Sequence, residues 1–135
     1  MSNAIFDSAR EKFGTAQLDW TAGTWKIVAL AAGYTLDVTT ASVLSDVDVT
    51  KRVATSNAIT GRSMSKGWFY ALPTLFPLLT SATSVASLCV YRDTGVESTS
   101  DLVLYISDAR SMPFRFTGGN VYVLWQVGDQ GIFRL

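Results

Sequence analysis

The sequence predicts an all-β fold, mainly an antiparallel β-sandwich or barrel, with one short N-terminal helix. Three observations carry this. Apolar residues alternate with a period of two along several short stretches, most cleanly over residues 121–127. Glycine-rich turn signals separate those stretches, as at 118–120 and 128–131. Only the first segment shows apolar residues at spacings of three and four.

That first segment reads as a helix. Ile5, Phe6, Ala9 and Phe13 lie near one face, Asp7 favours the start and Gly14 is the natural stop. So short a helix is unstable alone in water and must dock through Phe6 and Phe13. From Leu18 onward the pattern turns to β. Residues 25–31 are apolar on both alternating sets, as expected of a central strand covered on both faces. Residues 36–50 read as a helical turn or a structured loop. Residues 51–59 read as a strand with Val53, Thr55, Asn57 and Ile59 on one side, and Gly61 marks a bend.

Residues 63–72 continue that strand or begin another, with Trp68 and Tyr70 on one face. Pro73 and Pro77 place Thr74, Leu75 and Phe76 on an edge or in an extended loop. Strands follow at 85–92 and 101–107, with a polar turn between them. In 121–127, Val121, Val123, Trp125 and Val127 point inward, while Tyr122, Leu124 and Gln126 take the other face. A tight turn at 128–131 leads into a last strand at 132–135. Roughly six to eight short strands of this kind make a sandwich or barrel.

A length of 135 residues suits a single domain spanning 1–135. Apolar residues make up 48% and mean hydropathy is +0.24, which favours some apolar surface covered by partner subunits. Eleven basic and eleven acidic residues cancel, so no field of one sign steers a nucleic acid. The longest apolar stretch, 67–79, is too short to span a bilayer and is broken by two prolines. No membrane partner is therefore expected. Residues 1–7 lack the pattern of a targeting segment, so synthesis and folding in a cytoplasm are expected. The one cysteine, Cys89, lies in a strand-like run and reads as a small buried hydrophobe.

Histidine is absent, which removes Ser-His-Asp and Cys-His catalysis and histidine-based zinc sites. No glycine-rich phosphate motif occurs. Two carboxylate groups remain, Asp46 with Asp48, and Asp93 with Glu97 and Asp101. They match no defined metal-loop spacing, and read as loop residues bonding their own turns in preference to a calcium site or a glycosidase pair. Trp20, Trp25, Trp68 and Trp125 could form a sugar-stacking platform, but most of the aromatics read as core, and Trp68, with Phe69 and Tyr70 next to prolines, is the exception that reads as an exposed contact. No catalytic residue, cofactor or metal is expected, and the chain reads as a non-enzyme.

Several blocks occur in a telling order. They are Ile5-Phe6-Asp7-Ser8-Ala9-Arg10-Glu11-Lys12-Phe13, Leu18-Asp19-Trp20, Trp25-Lys26-Ile27-Val28-Ala29-Leu30 and Val43-Leu44-Ser45-Asp46-Val47. Arg52-Val53-Ala54, Val90-Tyr91-Arg92-Asp93-Thr94-Gly95, Leu104-Tyr105-Ile106-Ser107-Asp108 and Met112-Pro113 follow. The last runs from Thr117-Gly118-Gly119-Asn120 through Trp125 to Gly131-Ile132-Phe133-Arg134-Leu135. Over nearly the whole chain this order resembles a family of small tailed-bacteriophage virion structural proteins. The chain departs from the pattern between Trp68 and Leu79, where a more polar stretch is expected.

The resemblance implies a virion component and no catalytic site. The leading expectation is a head decoration or cement protein that stabilises the capsid lattice. Its partners would be the major capsid protein and copies of itself, as a homo-oligomer such as a trimer at a threefold position. Phe6, Phe13, Trp68, Phe69, Tyr70 and Phe76 are the expected contact residues. A tail, neck or baseplate protein is the alternative. A host-surface carbohydrate-binding module and a carboxylate-based hydrolase stand behind it.

Overall fold

The computed structural model describes residues 4–77, 79–107 and 112–125. Its elements in chain order are β1 (Ala4–Ile5), α1 (Asp7–Gly14), β2 (Thr24–Ala31), β3 (Arg52–Thr55), β4 (Ser63–Ser65), β5 (Trp68–Tyr70), β6 (Thr74–Phe76), β7 (Val85–Asp93), β8 (Leu102–Ile106) and β9 (Val121–Val123). The all-β expectation with one short helix is met. The turn expected at 128–131 and the strand at 132–135 lie outside the described residues.

Five strands form one antiparallel sheet in the order β1-β8-β7-β2-β3. Its backbone is the long β2–β7 pair, in register from Thr24 opposite Asp93 to Ala31 opposite Val85. Successive side chains point to opposite faces of a strand. All five residues of β8 and the last five of β2 are nevertheless buried, so both faces are covered. One face carries Trp25, Ile27 and Ala29 beside Arg92, Val90 and Leu88. The other carries Val28 beside Cys89 and Tyr105.

β1 reaches the sheet from the chain's first described residues. Ala4 pairs with Tyr105 and Ile5 with Leu104, and the Phe6 N–H donates to the Val103 carbonyl at 2.9 Å. Phe6 then meets Tyr105 edge-on at 6.5 Å. α1 follows with Asp7 in its first turn, where the helix dipole favours an anion. Lys12 in its last turn bonds Asp101 at the start of β8 at 2.6 Å. The helix stops at Gly14, as the sequence predicts, although not through a left-handed glycine. Gly14 is the last helical residue, and the left-handed position is Ala16, at φ 61°. The Gln17 N–H closes that turn on the Lys12 carbonyl at 2.8 Å.

Residues 36–51 combine both expectations, a structured loop with two 3-10 turns at Leu44–Asp46 and Val49–Lys51. β3 ends at Thr55, short of the predicted 59. The cause is Ser56, whose Oγ accepts the Ile27 N–H at 2.9 Å. The Asn57 N–H turns away to the Leu75 carbonyl at 2.9 Å, while Ile59 returns to the Trp25 carbonyl at 2.7 Å.

Residues 63–70 fold back on themselves, which brings the strands among the described residues to nine. Lys66 and Gly67 join β4 to β5 with φ of 52° and 82°. Two positive φ values are what a two-residue type I′ hairpin requires. β6 pairs with β9 as a second ribbon, although prolines flank it, and the Trp125 indole N–H donates to Thr74 Oγ1 at 3.1 Å.

Candidate functional site

The apolar face of the sheet around Trp25 is closed by four aromatic rings. Phe13 of α1 stacks on Trp25 at 6.4 Å and meets Phe69 edge-on at 5.3 Å. Trp20 meets Trp25 at 4.9 Å and Phe69 at 5.4 Å. Both indole N–H groups are used inside the fold, Trp20 on the Tyr70 carbonyl and Trp25 on the Ala22 carbonyl. Against this cluster lies an open hollow of about 340 Å³ lined by Phe13, Ala16, Leu18, Asp19, Trp20 and Met64. It is apolar apart from one carboxylate.

Three of the six expected contact residues are not on the surface. Phe6, Phe69 and Phe76 are each 0% exposed. Phe6 packs under β8, Phe69 completes the four-ring cluster, and Phe76 meets Phe116 at 5.3 Å. As accessible contacts they are corrected: their rings fill the chain's own core. Phe13, Trp68 and Tyr70 are half-buried, and Trp68 and Tyr70 share a face of β5, as expected. Trp20 and Trp25 are too deeply buried to form a sugar platform.

The large exposed apolar residues are others. Leu124 is 75% exposed, Val49 67%, Leu72 59%, Val96 56% and Tyr122 55%, with Met64 also exposed. Leu75 stands opposite Tyr122 in the β6–β9 register, so Leu75, Tyr122 and Leu124 share the outer face of that ribbon. The alternation in 121–127 places Tyr122 and Leu124 away from the core. No sequence signal marks Leu72, which lies against Gly61.

The acidic groups hold loops. Asp46 accepts the backbone N–H groups of Ser42 and Val43, which lower its pKa. Asp48 caps the turn at Thr50 through its N–H and hydroxyl. Asp93 accepts the Gly95 N–H, the largest cause of its lowered pKa, and pairs with Lys26 at 3.1 Å. Glu97 is held below the usual carboxylate range by Arg52, which grips both its oxygens at 2.9 and 3.0 Å. Arg52 also donates to the Leu44 and Val47 carbonyls, tying the loop to the sheet edge. Among the described residues, no cluster of three or more acidic or cysteine side chains is arranged to hold a metal ion. Burial raises the pKa of Cys89, and Tyr91 is pushed up to about 12, first by burial and then by Asp93.

Two arginines have no counterpart in the sequence reading. Arg62 donates to the carbonyls of Trp20, Ile59 and Gly23, each at 2.7 Å. Burial, and then the nearby Arg92 charge, pull its pKa down. Arg92 rests against Gly23, and its Nε is buried without a partner.

Fold and site together define an all-β domain whose polar groups brace loops and whose large exposed side chains include apolar ones. No protein-family model matches the chain, and no curated protein is significantly similar to it. No helix among the described residues is long and apolar enough to cross a membrane.

Proposed function

We propose that this chain is a structural protein of a tailed-bacteriophage particle, a head decoration or cement protein that works by contact and not by catalysis. The ordered run of sequence blocks from Ile5 onward that resembles small virion proteins carries the reading. The structure supports it in two ways. The carboxylates named above are engaged in bracing turns, and a set of large apolar side chains stands in solvent. The partners are the major capsid protein and further copies of this chain, arranged with the symmetry of the lattice. Stability of the particle rises because those partners bind only the folded, assembled form.

The contact surface consists of Leu72, Tyr122 and Leu124, with half-buried Phe13, Trp68 and Tyr70 contributing their outer edges. The test is incorporation into particles. The double substitution Leu72→Ser with Leu124→Ser should leave the free chain folded, since both residues are more than half exposed. It should lower the number of copies recovered per purified particle. Full occupancy of the double variant would overturn the surface. Recovery of the natural chain on tails and not on tailless heads would move it to the tail, neck or baseplate. Its absence from particles altogether would end the virion reading.

A further inference from the structure

Three cations of the described structure meet carboxylates, Lys12 with Asp101, Lys26 with Asp93 and Arg52 with Glu97, and several others stand exposed in solvent. Arg62 and Arg92 do neither. They converge on Gly23 from two elements, the bend after Gly61 and the end of β7. The Gly23 carbonyl accepts Arg62 Nη2 at 2.7 Å. The Arg92 guanidinium lies so close to Gly23 that a Cβ there would fall 2.3 to 2.5 Å from its Nε, Nη2 and Cζ.

Neither charge is neutralised by this arrangement. Arg62 bonds three carbonyls, which satisfy donors without cancelling charge, and a guanidinium has five donors. The Arg92 Nε is buried and has no hydrogen-bond partner among the described residues. Asp19, whose Oδ1 is held by the Thr21 N–H and hydroxyl, acts on both guanidiniums through its charge without forming an ion pair, so one carboxylate stands against two positive charges. Two guanidiniums against one carboxylate, one of them with a buried unused donor, keep a net positive charge that a further anion would offset. Paired guanidiniums present planar forks that match the oxygens of a carboxylate or phosphate.

We propose that Arg62 and Arg92, meeting at Gly23, form a binding site for one oxyanion, a phosphate-type group or a carboxylate. The site is independent of the particle assignment. Gly23 is part of it because its bare Cα, at φ 77°, lets both guanidiniums close in.

The test follows the arginine Nε–H signals and the Gly23 amide by NMR during titration of the whole chain. Inorganic phosphate is one arm and acetate the other, each against sodium chloride at matched ionic strength. The expected result is a saturable shift of the Arg92 Nε–H signal and the Gly23 amide that chloride does not reproduce. Saturation by phosphate alone assigns the site to phosphate-type groups. Saturation by acetate as well assigns it to carboxylates such as an acidic side chain of a partner. Arg92→Gln should abolish saturation of the Gly23 amide. Arg92→Lys, which serves if Arg92→Gln does not fold, should weaken binding about tenfold or more. Shifts that chloride reproduces, or that persist at Gly23 unchanged in the variants, would overturn the proposal.

Discussion

Ser56 and Ser87 are both buried, at 4% and 2% exposure, but their hydroxyls differ in partners. Ser56 Oγ accepts the Ile27 N–H in the middle of the sheet and donates to the Asn57 carbonyl. Ser87 Oγ has no partner. Ser56→Ala should therefore lower stability by about 1–3 kcal/mol, the penalty of leaving a buried N–H unsatisfied. Ser87→Ala should be neutral or stabilising, because it removes an orphaned hydroxyl. Urea midpoints at unchanged slope measure both, and equal losses in the two variants would contradict the assignment. Cys89 makes a second residue-scale case. Its thiol is fully buried and its pKa is raised, so little reactive thiolate exists. A disulfide-exchange reagent should leave it unlabelled in the native chain and label it on unfolding. Rapid native labelling would show that the strand pair around it opens readily.

At the scale of the element, the end of α1 is the point most open to improvement. Ala16 sits in the left-handed region, where an L-residue with a Cβ is strained, while Gly14 occupies a helical position with open space for a Cβ. Ala16→Gly and Gly14→Ala should each stabilise by about 0.5–1 kcal/mol. Thermal unfolding of the single variants checks this, and a lower midpoint in either would contradict it. The same helix shows what is legible in sequence. Its apolar spacing marks the segment, because Ala9 and Phe13 must face the sheet. Its stop at Gly14 is legible too, but the left-handed turn two residues later is not, because it falls on an alanine. The hairpin at 63–70 is hidden for the same reason: Lys66 occupies a φ usually given to asparagine or glycine. Strands β2, β7 and β8 are legible because apolar residues on both alternating sets mean cover on both faces. Which aromatics face solvent is not. The burial of Phe69 depends on Phe13 and Trp20, which are distant in sequence, and flanking prolines at 73 and 77 do not disclose that Phe76 packs on Phe116.

For the whole molecule, charge and pH behave simply. The folded pKa values of Asp46, Asp93 and Glu97 are lowered, by backbone N–H groups for the first two and by Arg52 for the third. A depressed folded pKa means that the unfolded chain binds more protons as pH falls. The stabilisation is present above the unfolded carboxylate values, near pH 4, and is lost as pH falls through the lower folded ones. With no histidine in the sequence, the ordinary titration between about pH 5 and 8 is missing. Stability measured by urea should be flat over that window and drop below it. A marked slope between pH 5 and 8 would contradict this reading.

The position of β1 bears on how the chain is made. Ala4 and Ile5 are made before the rest of the sheet, yet their strand partners are Tyr105 and Leu104, and Lys12 waits for Asp101, 89 positions later. β2 likewise waits for β7. Long loops must close before any of these pairings is rewarded, which slows folding toward the millisecond-to-second range of β-rich topologies. The nascent chain therefore carries β1 without its β8 partner while all the strands between them are made. The five-stranded sheet is completed only when β8 emerges.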